Sequence, residues 1–160
     1  MVTAANVLAM AAFYDGKQSQ SFPFFGVERT GAPLEAYCRI SDEPIKLHQN
    51  VYEPDYVVVL DDKLMDSVDV FKGLKKGGKV IVASAKPVKG AFTVDARAIA
   101  EKELGKPIVN IPVLGAFVKA TGIATMASLE KAVRQEFERK PDVAEKNVAA
   151  LKRCYAAVKS

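Results

Sequence analysis

The chain predicts an α/β fold, three layers deep (α/β/α), with a mixed, mostly parallel sheet and an antiparallel hairpin at one side. Three observations carry this. First, Tyr56-Val57-Val58-Val59-Leu60 and Lys79-Val80-Ile81-Val82-Ala83 are short, continuous, β-branched runs. That is the pattern of strands covered on both faces. Second, Asp61-Asp62 follows the first run and Gly77-Gly78 precedes the second. These residues bracket a capped helix, so the two strands form a right-handed parallel βαβ unit. Third, the remaining long segments carry helical rather than two-residue periodicity, so helices cover the sheet.

The elements follow in chain order. Val2 to Asp15 reads as a helix with only Thr3 and Asn6 polar before Tyr14, apolar nearly all round and so buried on more than one side. Gly16 suits the left-handed position just past its end. Leu34 to Ile40 alternates apolar and polar residues and reads as a strand. Ser41-Asp42-Glu43-Pro44 turns the chain, and Ile45-Lys46-Leu47 returns as its antiparallel partner. After the βαβ unit, Phe92-Thr93-Val94 is a third short strand. Asp95 caps the next helix, which Gly105 and Pro107 stop. Ile108 to Thr121 reads as a helix apolar on most faces. Ser128 caps another, with Leu129, Ala132, Val133 and Phe137 on one side. The last helix lays Val148, Leu151, Tyr155 and Val158 against the body.

At 160 residues the chain is one domain's worth, with a sizeable core. Hydrophobic residues make up 49% and charged residues 26%, which is ordinary globular composition. No apolar run reaches the roughly 18 residues of a membrane span. The first apolar segment has no Lys or Arg before it, so it lacks the basic start of a signal peptide. The reading is a cytoplasmic protein without a membrane partner. The net charge of +4 is mild, and the basic residues interleave with acids, as in Glu101-Lys102-Glu103. That is a solvated face, not a nucleic-acid stripe.

There are two cysteines and one histidine. They cannot form a four-cysteine iron–sulfur site, a structural zinc site or a Ser-His catalytic pair, so no catalytic or metal residue is assigned to this chain. Cys38 alternates with Ala36 and Ile40 and reads as a small buried hydrophobe. His48 reads as a surface strand residue. Tyr14-Asp15-Gly16 is not a thiamine-diphosphate motif, because Tyr14 stands where the first glycine is needed. There is no G-x-G-x-x-G and no Walker A loop.

The stretch that stands out is Gln20 to Ile40. Phe22, Phe24 and Phe25 form an aromatic anchor around Pro23. The loop Gly26-Val27-Glu28-Arg29-Thr30-Gly31-Ala32-Pro33 then leads into the strand. Glycines allow close backbone approach, and Pro33 directs the exit into extended chain. The candidate binding loop is therefore Gly26, Glu28, Arg29 and Gly31. The plainer reading of Glu28-Arg29 is a solvated ion pair, contributing about 0–1 kcal/mol. Thr3 and Asn110 are secondary candidates, with helix capping as the plainer role of Asn110.

SFPFFGVERTGAPLEAYCRISDEPI, YEPDYVVVLD and NIPVLGAF, in that order, resemble the gamma subunits of pyruvate:ferredoxin oxidoreductases, in the 2-oxoacid:ferredoxin oxidoreductase family. The resemblance runs from about Val2 to Tyr155. It implies a subunit, inactive alone, of an enzyme that converts pyruvate and coenzyme A to acetyl-CoA and CO2 with electrons passed to ferredoxin, or that runs in reverse. It also implies alpha, beta and delta partner subunits. Thiamine diphosphate, Mg2+ and iron–sulfur clusters would belong to those partners, with coenzyme A as co-substrate. Two other readings stand beside it: the gamma subunit of a 2-oxoisovalerate enzyme, and an assembly scaffold with no ligand of its own. Two departures matter. The family's N-terminal strand and its Gly-Arg-Gly-Gly-Gln-Gly loop are not seen before the first helix, so residues 1–160 read as one gamma-type domain lacking them. Many members also carry Arg-Arg-Gly where this chain has Arg29-Thr30-Gly31.

Overall fold

In the computed structural model, residues 2–24 and 33–160 are described. The α/β class holds. The elements run α1 (Val2–Tyr14), β1 (Gln18–Phe24), β2 (Glu35–Ser41), β3 (Tyr56–Val59), a 3-10 turn (Asp62–Asp66), β4 (Lys79–Ala83), β5 (Phe92–Val94), α2 (Ala96–Leu104), α3 (Val113–Thr121), α4 (Met126–Glu136) and α5 (Pro141–Ala157).

Among the described residues the antiparallel and parallel parts form separate sheets. One is the pair β1-β2, and the other is β3-β4-β5 with all strands parallel. The sequence reading placed the partner of β2 at Ile45-Lys46-Leu47. Those residues are irregular, and β1 is the partner, in register from Gln18↔Ser41 to Phe24↔Glu35. Pro23 is tolerated within β1 because β1 is an edge strand and needs no second set of ladder bonds. His48, read as a strand residue, sits in the same irregular segment and is exposed.

Alternation along β4 divides the core. Ile81 faces the helices, in a cluster with Val113, Leu114, Phe117 and Leu151. Val80 and Val82 face the other way, against Leu64, Met65, Val70 and Leu74. The layer on that second side is the 3-10 turn and irregular chain rather than the expected crossover helix. Asp61 caps the turn by accepting from the Lys63 amide at 3.1 Å.

Several helix ends follow local sequence. Gly16 and Gly105 take left-handed backbone at φ 81° and 72°, and the Asp95 carboxylate accepts from the Ala98 amide at 3.1 Å. Two ends differ from expectation. The helix expected from Ile108 begins at Val113, because Pro112 supplies no N–H to continue a helix backwards. The cap of α4 is Thr125, not Ser128. The Ser128 amide donates to Thr125 Oγ1 at 3.2 Å, so Ser128 occupies the third helical position.

Candidate functional site

The hairpin β1-β2 holds the candidate loop. Gly26, Glu28, Arg29 and Gly31 lie in residues 25–32, outside the described residues; the structure gives their flanks. The last paired positions are Phe24 and Glu35, so the loop springs from a closed antiparallel ladder. The hairpin is anchored on α1, where Ser19 Oγ donates to the Ala9 carbonyl at 2.7 Å and Ser21 Oγ donates to Asn6 Oδ1 at 2.6 Å.

An aromatic cluster stiffens the hairpin beneath the loop. The Tyr37 ring lies 5.4 Å from Phe22 and 6.2 Å from Phe24, in tilted and edge-on arrangements. Tyr37 Oη donates to Glu35 Oε2 at 2.6 Å. Partial burial first, and then the Glu35 carboxylate, push the Tyr37 phenol up to about 12. It is a donor here and not a base. The Arg39 guanidinium also stacks on Phe22, at 5.4 Å from the ring centre. Arg39 also donates to the carbonyls of Gln49 and Asn50, tying the hairpin to the irregular segment before β3. Gln20 completes this clamp, with a 2.8 Å bond to His48 Nδ1. Sequence reasoning passed over Arg39. Its signal was an arginine within an alternating strand, across from Gln20.

Below the hairpin opens a cleft of about 1020 Å³ bounded by α1, β2, β3 and α3. Cys38 lines it. Burial pushes the Cys38 thiol up to about 12, so it is protonated and unreactive as a nucleophile at neutral pH. Cys154 is pushed up to about 12 as well, by burial and then by the nearby Asp95 charge.

The two secondary candidates stand apart from the cleft. Thr3 is half-buried in the first turn of α1. Asn110 Oδ1 accepts from the adjacent Ile111 amide at 3.0 Å. It therefore orders the turn before α3, although it is not the N-cap residue of that helix, a place taken by Pro112. Neither residue lines the cleft, and no hydrogen bond among the described residues links them to each other.

Exposed apolar side chains surround the hairpin tip and the cleft mouth. Leu34 is 77% exposed and Tyr52 71%, with Phe24 and Leu47 also open. Such a concentration is denser than the single exposed apolar residues usual on a protein surface. Among the described residues no three His, Cys, Asp or Glu side chains are placed to hold a metal ion. With two cysteines in the whole chain, a four-thiolate cluster has no donor set here.

The family described as pyruvate ferredoxin/flavodoxin oxidoreductase matches residues 1–157. The chain is 50% identical, over 99% of its length and 90% of the relative's, to pyruvate synthase subunit PorC of Methanothermobacter marburgensis. It is 49% identical, over 96% of its length and 88% of the relative's, to the pyruvate/ketoisovalerate oxidoreductases common subunit gamma of Thermococcus litoralis. The crystal structure of pyruvate oxidoreductase subunit PORC from Thermotoga maritima superposes with a TM-score of 0.83 at 37% identity, covering 99% of this chain and 89% of that one.

Proposed function

Because the chain belongs to the pyruvate ferredoxin/flavodoxin oxidoreductase family, we propose that it serves as the gamma subunit of a pyruvate:ferredoxin oxidoreductase. The observation that carries this is the near-full-length identity of about half to pyruvate synthase subunits. In this reading residues 1–160 are one gamma-type domain, working in the cytoplasm with alpha, beta and delta subunits and with ferredoxin as electron acceptor. Thiamine diphosphate, Mg2+ and the iron–sulfur clusters are assigned to the partners: two cysteines cannot supply a four-thiolate cluster, and among the described residues no group of three His, Cys, Asp or Glu side chains is placed to hold a metal ion. The chain's own contribution is to pack against those partners through the apolar rim of the hairpin and to shape the approach of coenzyme A.

The loop residues have named roles. Gly26 and Gly31 let the backbone approach a ligand, and Arg29 is the loop's only basic side chain. Arg29 engages a phosphate of coenzyme A, a geometry its planar fork favours. Glu28 orients the Arg29 side chain. Thr3 and Asn110 are lesser positions. Arg29→Ala in the assembled enzyme should raise the coenzyme A KM by the loss of one charge-assisted hydrogen bond, about 1.5–3 kcal/mol or roughly 10–100-fold. The pyruvate KM should stay nearly constant. If both KM values and assembly are unchanged, the loop is a solvated turn.

A second reading has its own support. Relatives described as common to pyruvate and ketoisovalerate oxidoreductases are as similar, at 48–49% identity, as those described for pyruvate alone. One gamma subunit serving two enzymes fits that pattern. A native pull-down with mass spectrometry separates the two. One set of partner subunits, with turnover on pyruvate only, supports the first reading. Two sets, with turnover on 2-oxoisovalerate as well, support the second. No oxidoreductase partner at all leaves only an assembly scaffold.

A further inference from the structure

The register sorts the hairpin β1-β2 into two faces. Ser19 and Ser21 donate to α1, so their face, shared with Ala36, Cys38 and Ile40, is the one turned toward that helix. Alternation puts Gln20, Phe22 and Phe24 on the opposite face, across from Arg39, Tyr37 and Glu35. On that outer face the side chains touch in series. The Arg39 guanidinium lies 5.4 Å from the Phe22 ring centre, Phe22 lies 5.4 Å from Tyr37, and Tyr37 lies 6.2 Å from Phe24 and donates to Glu35. Phe24 and Glu35 are the last paired positions of the ladder, so the stack runs from Arg39 to the hairpin's far end.

The two ends of the hairpin are held differently. Ser19 and Ser21 tie the near end to α1, whereas beyond Ser21 no side-chain hydrogen bond among the described residues joins the hairpin to that helix. A two-stranded ladder is marginal by itself, so the far end takes its direction from the stack. The anchor of the stack is Arg39. Its guanidinium donates to the Gln49 carbonyl at 2.5 Å, to the Asn50 carbonyl at 3.2 Å and to Gln20 Oε1 at 3.4 Å. Two of these acceptors are backbone, in the segment that leads into β3. A planar fork can lie on a ring and reach several acceptors at once, which a single ammonium group cannot.

We propose that Arg39 is a positioning residue for the coenzyme A step. Through Phe22 and Tyr37 it fixes the direction in which the hairpin presents its far end to the assembled enzyme. Arg39 does not touch coenzyme A in this account; it acts through the stack. The inference rests on the reading of the hairpin as the approach of coenzyme A, and it assigns that approach a support made of described residues only.

The test measures steady-state kinetics and hydrogen exchange of the assembled oxidoreductase carrying Arg39→Ala, Arg39→Lys or Phe22→Leu, with Arg29→Ala in parallel. Arg39→Ala should raise the coenzyme A KM about 3–10-fold, while kcat and the pyruvate KM move by no more than about twofold. The amides of Phe22, Phe24 and residues 35–37 should lose protection. Arg39→Lys keeps the charge but not the fork, and should behave like Arg39→Ala. Phe22→Leu interrupts the stack one member further on and should give the same split; it decides the matter if Arg39→Ala does not assemble. Combined with Arg39→Ala it should add little, because both act through one stack. The proposal is overturned if the coenzyme A KM is unchanged in Arg39→Ala or Phe22→Leu, if kcat and both KM values shift together, if Arg39→Lys restores wild-type values, or if the far-end amides keep their protection. Arg29→Ala separates this from the loop reading. A silent Arg29→Ala beside a raised coenzyme A KM in Arg39→Ala defeats the role of Arg29 and keeps that of Arg39, and the reverse result defeats Arg39 alone.

Discussion

From Asp95 onward, α2, α3, α4 and α5 close around Leu129, Val133, Leu151 and Cys154, all at 0% exposure. The half built from α1, β1, β2 and the segment before β3 borders a large cleft and leaves Phe13, Leu34 and Tyr52 more than 65% exposed. Both halves are rich in apolar residues; the difference lies in what covers them. The helical half supplies its own cover, because successive helices bury one another's stripes. The hairpin half turns apolar side chains toward solvent around a loop of the residue types that bind ligands. The first half is a platform closed on itself, and the second is the half that the proposed assembly would complete.

The comparison is broken most directly at the tightest contact of the platform. Gly115 on α3 faces α5, and a Cβ there would overlap the Leu151 carbonyl oxygen and stand 2.9 Å from its carbon. The obstacle is helix backbone and cannot rotate aside. Overpacking costs about 1–3 kcal/mol and occasionally more, against a gain of about 1 kcal/mol in helix propensity. Gly115→Ala should lower stability by about 2 kcal/mol and the Tm by roughly 4–8 °C. An unchanged Tm would mean that α3 and α5 can slide apart freely, and the platform would be no tighter than the hairpin half.

Features set by near neighbours were legible in the sequence. Asp61 and Asp95 as caps, Gly16 and Gly105 as helix ends, and the buried runs of β3 and β4 all follow from a few adjacent residues. Several misreadings share a cause, which is distance along the chain. Ile45-Lys46-Leu47 has strand-like spelling, but β1 occupies the place beside β2, and Arg39 holds the carbonyls of Gln49 and Asn50 in an irregular path. β1 itself is masked by Pro23 and by its Gln and Ser residues. Thr125 and Ser128 are equally good caps by residue type; Thr125 fills the role, with an Asp15 bond from 110 positions away. The candidate loop was chosen on residue type alone. The cleft beneath it had no sequence signal, because it is made of strand edges and alternate residues from four separated segments.

A smaller effect lies at the joint between the halves. Asp15, at the end of α1, accepts from the Thr125 amide at 2.7 Å, from Thr125 Oγ1 at 2.8 Å and from Ser128 Oγ at 2.5 Å. Burial pushes the Asp15 carboxyl up, but the bonds from Ser128 and Thr125, with the Lys17 charge, outweigh it and hold the group below its ordinary value of 3.8. A lowered pKa means that the folded state favours the carboxylate. The stabilisation is present above pH 3.8 and is lost as pH falls through the folded-state pKa. Asp15→Asn should cost about 1–2 kcal/mol at neutral pH, and the gap to wild type should close in acid. A gap that stays constant from neutral to acidic pH would show that the carboxylate charge plays no part in holding α1 to α4.

The smallest effect belongs to the hairpin. Tyr37→Phe keeps the ring contacts to Phe22 and Phe24 and deletes only the bond to Glu35. At neutral pH the loss should be no more than about 0.5–1 kcal/mol, the net worth of an exposed hydrogen bond. The pH dependence is the sharper readout. Burial and then Glu35 raise the Tyr37 phenol from 10.0 to about 12, so the folded state favours the protonated form. That contribution is complete below pH 10 and fades as pH rises toward 12, because the unfolded chain ionises first. Wild type should therefore lose more stability than Tyr37→Phe across this window, and the two curves should converge or cross in denaturant titrations. Parallel curves from pH 9 to 12 would mean that Glu35 does not hold the Tyr37 proton and that the base of the loop is as loosely tied as any exposed hairpin end. Convergence would show that one part of the hairpin half is ordered before any partner arrives, and it would narrow the contrast between the two halves to the cleft and its apolar rim.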